Sequence, residues 1–140
     1  MARVNVSEEI AAPAATVWDL VGNPAYGARW PVVERCEVEG EGPGCIRTLQ
    51  LLDGSTICER LDAIDPAART YGSTILEMAG LPIKKLEYRV SVSELGPERC
   101  RVDWEMTFQP SGISEDRLAH MLEGIFTSST TSIRDTLGVG

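Results

Sequence analysis

The C-terminal segment 114–138, SEDRLAHMLEGIFTSSTTSIRDTLG, has the periodicity of one long amphipathic helix. Ser114 followed by Glu115 and Asp116 suits a helix start, because a serine side chain can cap first-turn N–H groups and acidic residues favour that end. Gly138 predicts the end of the helix. Apolar or small residues recur along about twenty residues of one face: Leu118, Leu122, Ile125, Ser129, Ile133 and Leu137. Such a face requires a large apolar surface to pack against.

The central part of the chain supplies that surface, because its apolar and polar residues alternate as in β-strands. A first strand is predicted at 2–10. Turn signals of the Asp-Gly, Asp-Pro and Gly-Pro type separate the later runs. The six later runs with this alternation are 32–39, 44–52, 55–64, 69–78, 84–95 and 99–109.

Two short helices are predicted between the first strand and the remaining strands. Pro13 favours a helix start and opens the segment 14–21, and a second short helix at 24–30 ends before Pro31. The order is therefore strand, two short helices, six strands and one long helix. We expect one α+β domain over 1–140, in which a curved seven-stranded antiparallel sheet wraps around the last helix.

Composition narrows the possible partners. The 140 residues include 13 basic and 21 acidic side chains, for a formal net charge of −8. Without a cluster of Lys or Arg, such a chain is not expected to bind nucleic acid or an anionic membrane. No apolar run approaches the ~18 residues of a membrane span, and Glu8 and Glu9 stand where a secretory signal needs apolar residues. We therefore expect a cytoplasmic protein.

Metal and cofactor sites are not predicted. Cysteines at 36, 45, 58 and 100 form no C-x-x-C pair, and His120 is the single histidine, so the spacing of a zinc site is missing. Reduced thiols are the expectation in a cytoplasmic protein. The sequence also has no glycine-rich phosphate loop, and we expect no cofactor.

Three ionisable side chains fall on the predicted inward face of the sheet. Strand alternation places Glu59, Arg47 and Glu34 among apolar neighbours. Burial of an unpaired charge costs several kcal/mol. Either a cavity between sheet and helix holds these groups in pairs, or a strand bulges and leaves them at a solvated rim. The first alternative predicts a ligand pocket.

Several short motifs occur along the chain in a fixed order. They are Ile10-Ala-Ala-Pro13-x-x-x-Val17-Trp18, Trp30-Pro31, Gly44-x-x-Arg47, Gly54, Glu59-Arg60-Leu61-x-x-x-Asp65, Arg69 and Tyr88. In these motifs the chain resembles the START-like, helix-grip superfamily (SRPBCC, Bet v 1-like), in its polyketide cyclase/dehydratase-like branch, and more distantly the plant abscisic acid receptors. The resemblance implies a deep cavity between the sheet and the last helix.

Transfer of the receptor pattern places Glu59, Tyr88 and Arg47 in this cavity. Glu34 stands where the receptors have a lysine that pairs with the carboxylate of their ligand, so an acidic ligand of that kind is not expected. A tight turn at 52–55 replaces the long gate loop of the receptors, and the segment 78–84 is the expected flap over the opening. Sensing of a plant hormone is therefore not predicted.

Two functions remain open at this point. In the first, the protein catalyses cyclisation, dehydration or isomerisation. One of Glu34 and Glu59 would donate a proton and the other would accept one, Arg47 would hold the ionised carboxylate or stabilise an enolate oxygen, and Tyr88 would donate a hydrogen bond to that oxygen. In the second, the same cavity is that of a non-catalytic carrier or sensor. Glu59 could also form a purely structural salt bridge with Arg47, and Tyr88 could be a core residue.

The partner predicted by both functions is a small hydrophobic molecule, polyketide-like or aromatic. The protein itself would be a monomer or a homodimer. The residues expected to contact the ligand are Trp30, Ile57, Leu61, Ile75, Val90, Trp104, Met106, Leu122, Ile125 and Ser129.

Overall fold

A computed structural model describes residues 2–30, 33–78 and 82–139. Its seven strands form one antiparallel sheet in the order β1-β7-β6-β5-β4-β3-β2. The strands are β1 (Ala2–Ile10), β2 (Val33–Glu39), β3 (Cys45–Leu51), β4 (Thr56–Asp65), β5 (Thr70–Met78), β6 (Ile83–Gly96) and β7 (Arg99–Pro110). The helices are α1 (Ala14–Val21), a 3-10 helix (Pro24–Arg29) and α2 (Glu115–Leu137).

This arrangement confirms the predicted fold class, a helix-grip domain with two short helices after the first strand. The connection between β1 and the rest of the sheet explains the strand order. After β1 the chain crosses through the two short helices to the far edge at β2, and five hairpin steps then return it to β1.

Both ends of α2 have the features that the sequence predicts. The Ser114 side chain accepts a hydrogen bond from the Arg117 backbone N–H at 3.2 Å, and Glu115 and Asp116 lie in the first turn. Gly138 ends the helix with φ of 69°, a left-handed conformation in which glycine carries no steric penalty.

The apolar face of α2 is rotated slightly from the predicted one. Phe126 is buried, whereas Ile125 is 44% exposed. An α-helix repeats every 3.6 residues, so the line through Leu118 and Leu122 continues to Phe126, and Ile125 falls at its edge. This edge position is where α2 borders the opening of the cavity described below.

Side-chain contacts attach α2 to the sheet and to the 3-10 helix. The Trp104 indole N–H on β7 donates to Thr130 Oγ1 at 3.0 Å. Ser132 Oγ donates to the Arg29 carbonyl at 2.9 Å, and Arg134 Nη1 donates to Glu8 Oε2 on β1 at 3.1 Å. These contacts all involve the C-terminal half of α2. None of the helices in the described part of the chain combines the length and the apolarity needed to cross a bilayer.

Candidate functional site

A buried ion pair lies on the inward face of the sheet, between β3 and β4. Arg47 and Glu59 are direct cross-strand partners, and each residue is only 1% exposed. Arg47 Nε donates to Glu59 Oε1 at 2.5 Å, and Arg47 Nη2 also contacts that oxygen. The turn at Gly54, with φ of 89°, sets the register that brings the two side chains together.

Two tyrosines from the neighbouring strands extend this pair into a cluster. The Tyr88 hydroxyl on β6 lies 3.2 and 3.1 Å from the two Glu59 oxygens. Arg47 Nη2 donates to the Tyr88 oxygen at 3.1 Å, and Tyr71 on β5 lies 3.2 Å from it. A carboxylate paired with a guanidinium only accepts hydrogen bonds, so the single Tyr88 proton goes to Glu59. Tyr71 is therefore the donor in the contact between the two hydroxyls.

The remaining contacts of the cluster come from β5 and from the segment of the 3-10 helix. Ser73 Oγ on β5 donates to Glu59 Oε2 at 3.3 Å, and Arg47 Nη1 donates to the Pro24 carbonyl at 2.9 Å. The Trp30 ring covers the guanidinium, with Arg47 Cζ 4.6 Å from the ring centre. Among the described residues, no buried side-chain nitrogen or oxygen lacks a hydrogen-bond partner. The two charges are thus paired and supplied with further hydrogen bonds at a buried site.

Burial and charge determine the protonation states of the cluster. Desolvation, followed by the charge of Glu59, raises the pKa of Tyr88 well above its ordinary value, and desolvation also raises the pKa of Tyr71. Burial alone would lower the pKa of Arg47, but Tyr88, Glu59 and Tyr71 outweigh this effect and raise it. At neutral pH both tyrosines are therefore protonated and the guanidinium is charged.

The cluster forms one wall of a cavity between the sheet and α2. The cavity has a volume of about 210 Å³ and a mainly apolar lining. Of the hydrogen-bonded side chains Arg47, Glu59, Tyr71, Ser73 and Tyr88, it is Glu59 and Tyr88 that line the cavity. The lining consists of Trp30, Val33, Leu49, Leu51, Ile57, Glu59, Ile75, Met78, Leu86, Tyr88, Leu122, Ile125, Phe126, Ser128 and Ser129.

The predicted ligand-contacting residues divide into two groups. The structure places Trp30, Ile57, Ile75, Leu122, Ile125 and Ser129 along the cavity. In contrast, Leu61, Val90, Trp104 and Met106 are buried in the hydrophobic core and do not line it. Strand alternation identifies inward residues but does not distinguish a cavity wall from a solid core.

Trp104 shows the physical reason for this correction. Its ring packs against Tyr88 and Phe126, with centroids 6.1 and 5.1 Å away, and both of those residues line the cavity. The two smaller rings therefore separate the indole from the open space. The Trp104 N–H is already bonded to Thr130, so the indole acts as a packing group.

The prediction that Glu34 points inward is wrong. The pairing of β2 with β3 shifts register between Val33 and Arg35, which is a β-bulge at Glu34, and this side chain is exposed. A bulge adds one residue to one strand and so reverses the faces of the residues beyond it. The solvated-rim alternative is correct for Glu34, whereas Glu59 and Arg47 are buried and paired.

Sequence reasoning missed two members of the cluster and part of the lining. Tyr71 and Ser73 occupy alternate positions on β5 and face the same side as Ile75, so period-two alternation was the available signal. Of the missed lining residues, Leu49, Leu51 and Leu86 fit the same alternation on their own strands. The middle of the expected flap, residues 79–81 of 78–84, lies outside the described residues.

Among the described residues, neither a reactive thiol nor a metal-binding group is found at the candidate site. The four cysteines are unpaired, and desolvation raises the pKa of the Cys36, Cys45 and Cys100 thiols, which keeps them protonated at neutral pH. Within residues 2–30, 33–78 and 82–139, no group of three or more His, Cys, Asp or Glu side chains is arranged to hold a metal ion.

Comparison with known proteins gives one matching family and several structures of similar fold. A family model described as "Polyketide cyclase / dehydrase and lipid transport" matches residues 1–138. No curated protein sequence matches the chain. Among solved structures, a Bacillus thuringiensis protein is 26% identical, with a TM-score of 0.87 and coverage of 96% of this chain and 98% of that one.

Two further structures share the fold at lower identity. The Zhui aromatase/cyclase from Streptomyces sp. R1128 is 22% identical, with a TM-score of 0.77 and coverage of 94% of this chain and 90% of that one. A START superfamily protein from Mycobacterium smegmatis is 15% identical, with a TM-score of 0.81 and coverage of 96% and 95%. At these identities the similarity concerns the fold alone.

Proposed function

Because the chain belongs to the polyketide cyclase/dehydrase and lipid transport family of the START-like, helix-grip superfamily, we propose that its cavity binds a small, mainly apolar molecule. The observation that carries this proposal is the lining, which is mainly apolar and carries few polar groups, those of Glu59 and Tyr88 on the sheet and of Ser128 and Ser129 on α2. Apolar walls with few convergent polar groups are typical of small-molecule sites. The apolar walls supply affinity, and the polar groups orient the ligand.

Cavity volume limits the size of this molecule. An engineered apolar cavity of about 150 Å³ is sufficient to bind benzene. The 210 Å³ of the present cavity therefore suits one aromatic ring with short substituents. A polyketide of several fused rings needs a pocket of about 300 Å³ or more. Of the two ligand classes suggested by the sequence, the volume favours the single-ring aromatic one.

A thermal-shift series with apolar probes of increasing size tests this proposal. Toluene and ethylbenzene are expected to raise the melting temperature in a concentration-dependent way, because a ligand that binds only the folded state stabilises it. Phenanthrene, with three fused rings, should produce no shift. Absence of a shift with both single-ring probes would contradict ligand binding in this cavity, and an equal shift with phenanthrene would contradict the size limit.

Acid–base catalysis at the same site is a second candidate function. It is favoured by the position of a protonated phenol within 3.2 Å of both oxygens of a buried carboxylate. The scheme with two carboxylates no longer applies, because Glu34 is exposed. In the remaining scheme, Glu59 accepts a proton from a C–H next to a carbonyl while Arg47 holds the carboxylate in place. The C–H electrons form the new C=C bond as the C–O bond breaks, and Glu59 passes its proton to the departing hydroxyl, which leaves as water.

A β-hydroxy ketone with one ring is a direct substrate for this second candidate. Dehydration of 4-hydroxy-4-phenylbutan-2-one forms a conjugated enone that absorbs in the near ultraviolet. Catalysis predicts enone formation above the uncatalysed rate, its loss in Glu59→Gln, and its retention in Glu34→Gln, which makes the same chemical change at an exposed position. If enone forms at the same rate with either variant as in buffer alone, catalysis is contradicted and ligand binding remains the proposed function.

A further inference from the structure

The carboxylate that lines the cavity is fully hydrogen-bonded within the protein. A carboxylate offers about four lone-pair positions on its two oxygens. On Glu59 these positions face four donor groups. The donors are Arg47 Nε, Arg47 Nη2, the Ser73 hydroxyl and the Tyr88 hydroxyl. Glu59 therefore has no acceptor position left for a ligand.

The Tyr88 hydroxyl is in the same condition. Its single proton goes to Glu59, and its oxygen accepts from Arg47 Nη2 at 3.1 Å and from the Tyr71 hydroxyl at 3.2 Å. These two bonds use both lone pairs of the oxygen. Although Glu59 and Tyr88 are polar residues, a ligand meets them as a wall with no free donor and no free acceptor.

The other polar groups of the lining keep contact with water or retain a lone pair. Ser128 on α2 is exposed, and Trp30, which carries an indole N–H, is half-buried. Ser129 Oγ donates to the Ile125 carbonyl at 3.1 Å but keeps lone pairs that can accept a bond. Because Ile125 is 44% exposed, this part of α2 lies at the opening. A polar group of a ligand can stay hydrated or find a partner there.

From this contrast we infer that the ligand carries its polar groups at one end only, with its apolar end against Glu59 and Tyr88 and its polar end at the opening beside Ser128. This inference rests on the proposed binding function and specifies the chemical class and the orientation of the ligand. A hydroxyl directed at Glu59 would lose its hydration without a replacement. The orientation is the reverse of the one that acid–base catalysis requires, because catalysis needs the carbonyl end of a substrate near Glu59.

Two isomeric diols test the inference. Both hydroxymethyl groups of 1,2-benzenedimethanol can lie at the opening, whereas 1,4-benzenedimethanol carries one at each end of the ring. The hydrocarbons 1,2-diethylbenzene and 1,4-diethylbenzene have the same shapes with methyl groups in place of the hydroxyls, so the ratio of their dissociation constants measures the effect of shape alone. After division by this ratio, isothermal titration calorimetry should give roughly tenfold or weaker binding of the 1,4-diol, because one of its hydroxyls is buried without a partner.

The outcomes separate this inference from the proposed function. If the two diols differ no more than the two hydrocarbons do, or if the 1,4-diol binds more tightly, the orientation is overturned and the binding function stands. The same holds if the hydrocarbons bind and the 1,2-diol does not, since the opening would then not accept polar groups. If none of the four compounds binds, the binding function fails, and the inference fails with it.

A substitution at Tyr88 tests whether the cluster causes the preference. Tyr88→Phe removes one donor from Glu59 and so frees an acceptor position beside the cavity, which a ligand hydroxyl can use. The shape-corrected preference for the 1,2-diol should then fall to less than about threefold. Tyr26→Phe, which removes a buried hydroxyl that does not line the cavity, is the matched control and should keep the full preference. A tenfold preference that persists in Tyr88→Phe would overturn the role assigned to the cluster.

Nuclear Overhauser effects in the unmodified protein give a readout that needs no variant. In the complex with 1,2-benzenedimethanol, the ring protons opposite the two substituents should lie close to the methyl groups of Leu86, a buried lining residue on the same strand as Tyr88. The methylene protons of the substituents should lie close to Ile125 at the opening. The opposite pattern of contacts would overturn the orientation.

Discussion

At the scale of single residues, the site depends on how a buried ion pair is tolerated beside an apolar cavity. Desolvation of Arg47 and Glu59 costs several kcal/mol for each ion, and only close pairing with additional hydrogen bonds offsets it. Tyr88, Ser73 and the Pro24 carbonyl provide those additional bonds. The pair therefore behaves as one unit, and the consequences of removing one member or both should differ greatly.

This coupling is measurable by a double-mutant cycle. Arg47→Met and Glu59→Gln should each lower the free energy of unfolding by about 3–5 kcal/mol, because each leaves the other charge buried without its partner. The double variant should lose far less than the sum of the two losses. Urea unfolding of the four proteins gives the coupling energy directly, and additive losses would mean that the two charges do not depend on each other.

The raised pKa values of Tyr71 and Tyr88 predict an alkaline loss of stability. In the folded protein both hydroxyls stay protonated at a pH where the unfolded chain releases its tyrosine protons, near pH 10. Above that pH the unfolded state binds fewer protons than the folded state, so the free energy of unfolding falls as pH rises. Each tyrosine contributes a slope of up to about 1.4 kcal/mol per pH unit until it titrates in the folded state.

Unfolding measurements between pH 8 and 11.5 check this prediction with a matched pair of variants. Tyr88→Phe and Tyr71→Phe should each make the decline above pH 10 less steep, because the substituted position no longer titrates in either state. An unchanged slope in both variants would contradict the protonated state assigned to the cluster.

At the scale of helices and strands, most of the fold was predictable because local patterns and long-range packing agree. The strands and α2 have nearly the bounds that alternation and capping predict. The bulge in β2 was not predictable, because a one-residue insertion in an edge strand leaves no mark in the period-two pattern before its neighbour is known. Tyr71 and Ser73 were missed for a different reason. Arg47 and Glu59 stand out as charges among apolar neighbours, whereas alternation alone does not distinguish uncharged polar members of the cluster from other inward residues.

The bulge itself leads to a prediction about two glutamates. Glu34→Gln should change the free energy of unfolding by less than about 0.5 kcal/mol and should not affect ligand binding, because surface substitutions outside special contacts are nearly neutral. Glu59→Gln, the same change on the inward face of β4, should affect both. A destabilisation by Glu34→Gln comparable to that of Glu59→Gln, measured by urea unfolding, would place Glu34 inside after all.

At the scale of the whole molecule, the cavity results from the unequal attachment of α2 to the sheet. Its C-terminal half is bonded to β7, to the 3-10 helix and to β1 through Thr130, Ser132 and Arg134. Leu122, Ile125 and Ser129 instead face the open space between helix and sheet. At Ser129 a small side chain stands where a larger one would fill that space, so the empty volume is a property of this sequence and not of the fold alone.

Filling the cavity should therefore raise the free energy of unfolding and prevent ligand binding. Ser129→Leu places apolar atoms in the open space and should raise the unfolding free energy of the ligand-free protein by about 1 kcal/mol, at about 25 cal/mol per Å² of apolar surface removed from water. The same substitution should abolish the thermal shift with ethylbenzene. In the unmodified protein, ethylbenzene at a concentration one hundred times its Kd should raise the free energy of unfolding by about 2.7 kcal/mol. Thr127→Leu, exposed on the same helix, should keep the full shift. If Ser129→Leu retained that shift, ethylbenzene would bind somewhere other than between α2 and the sheet. That result would contradict the function proposed for this cavity.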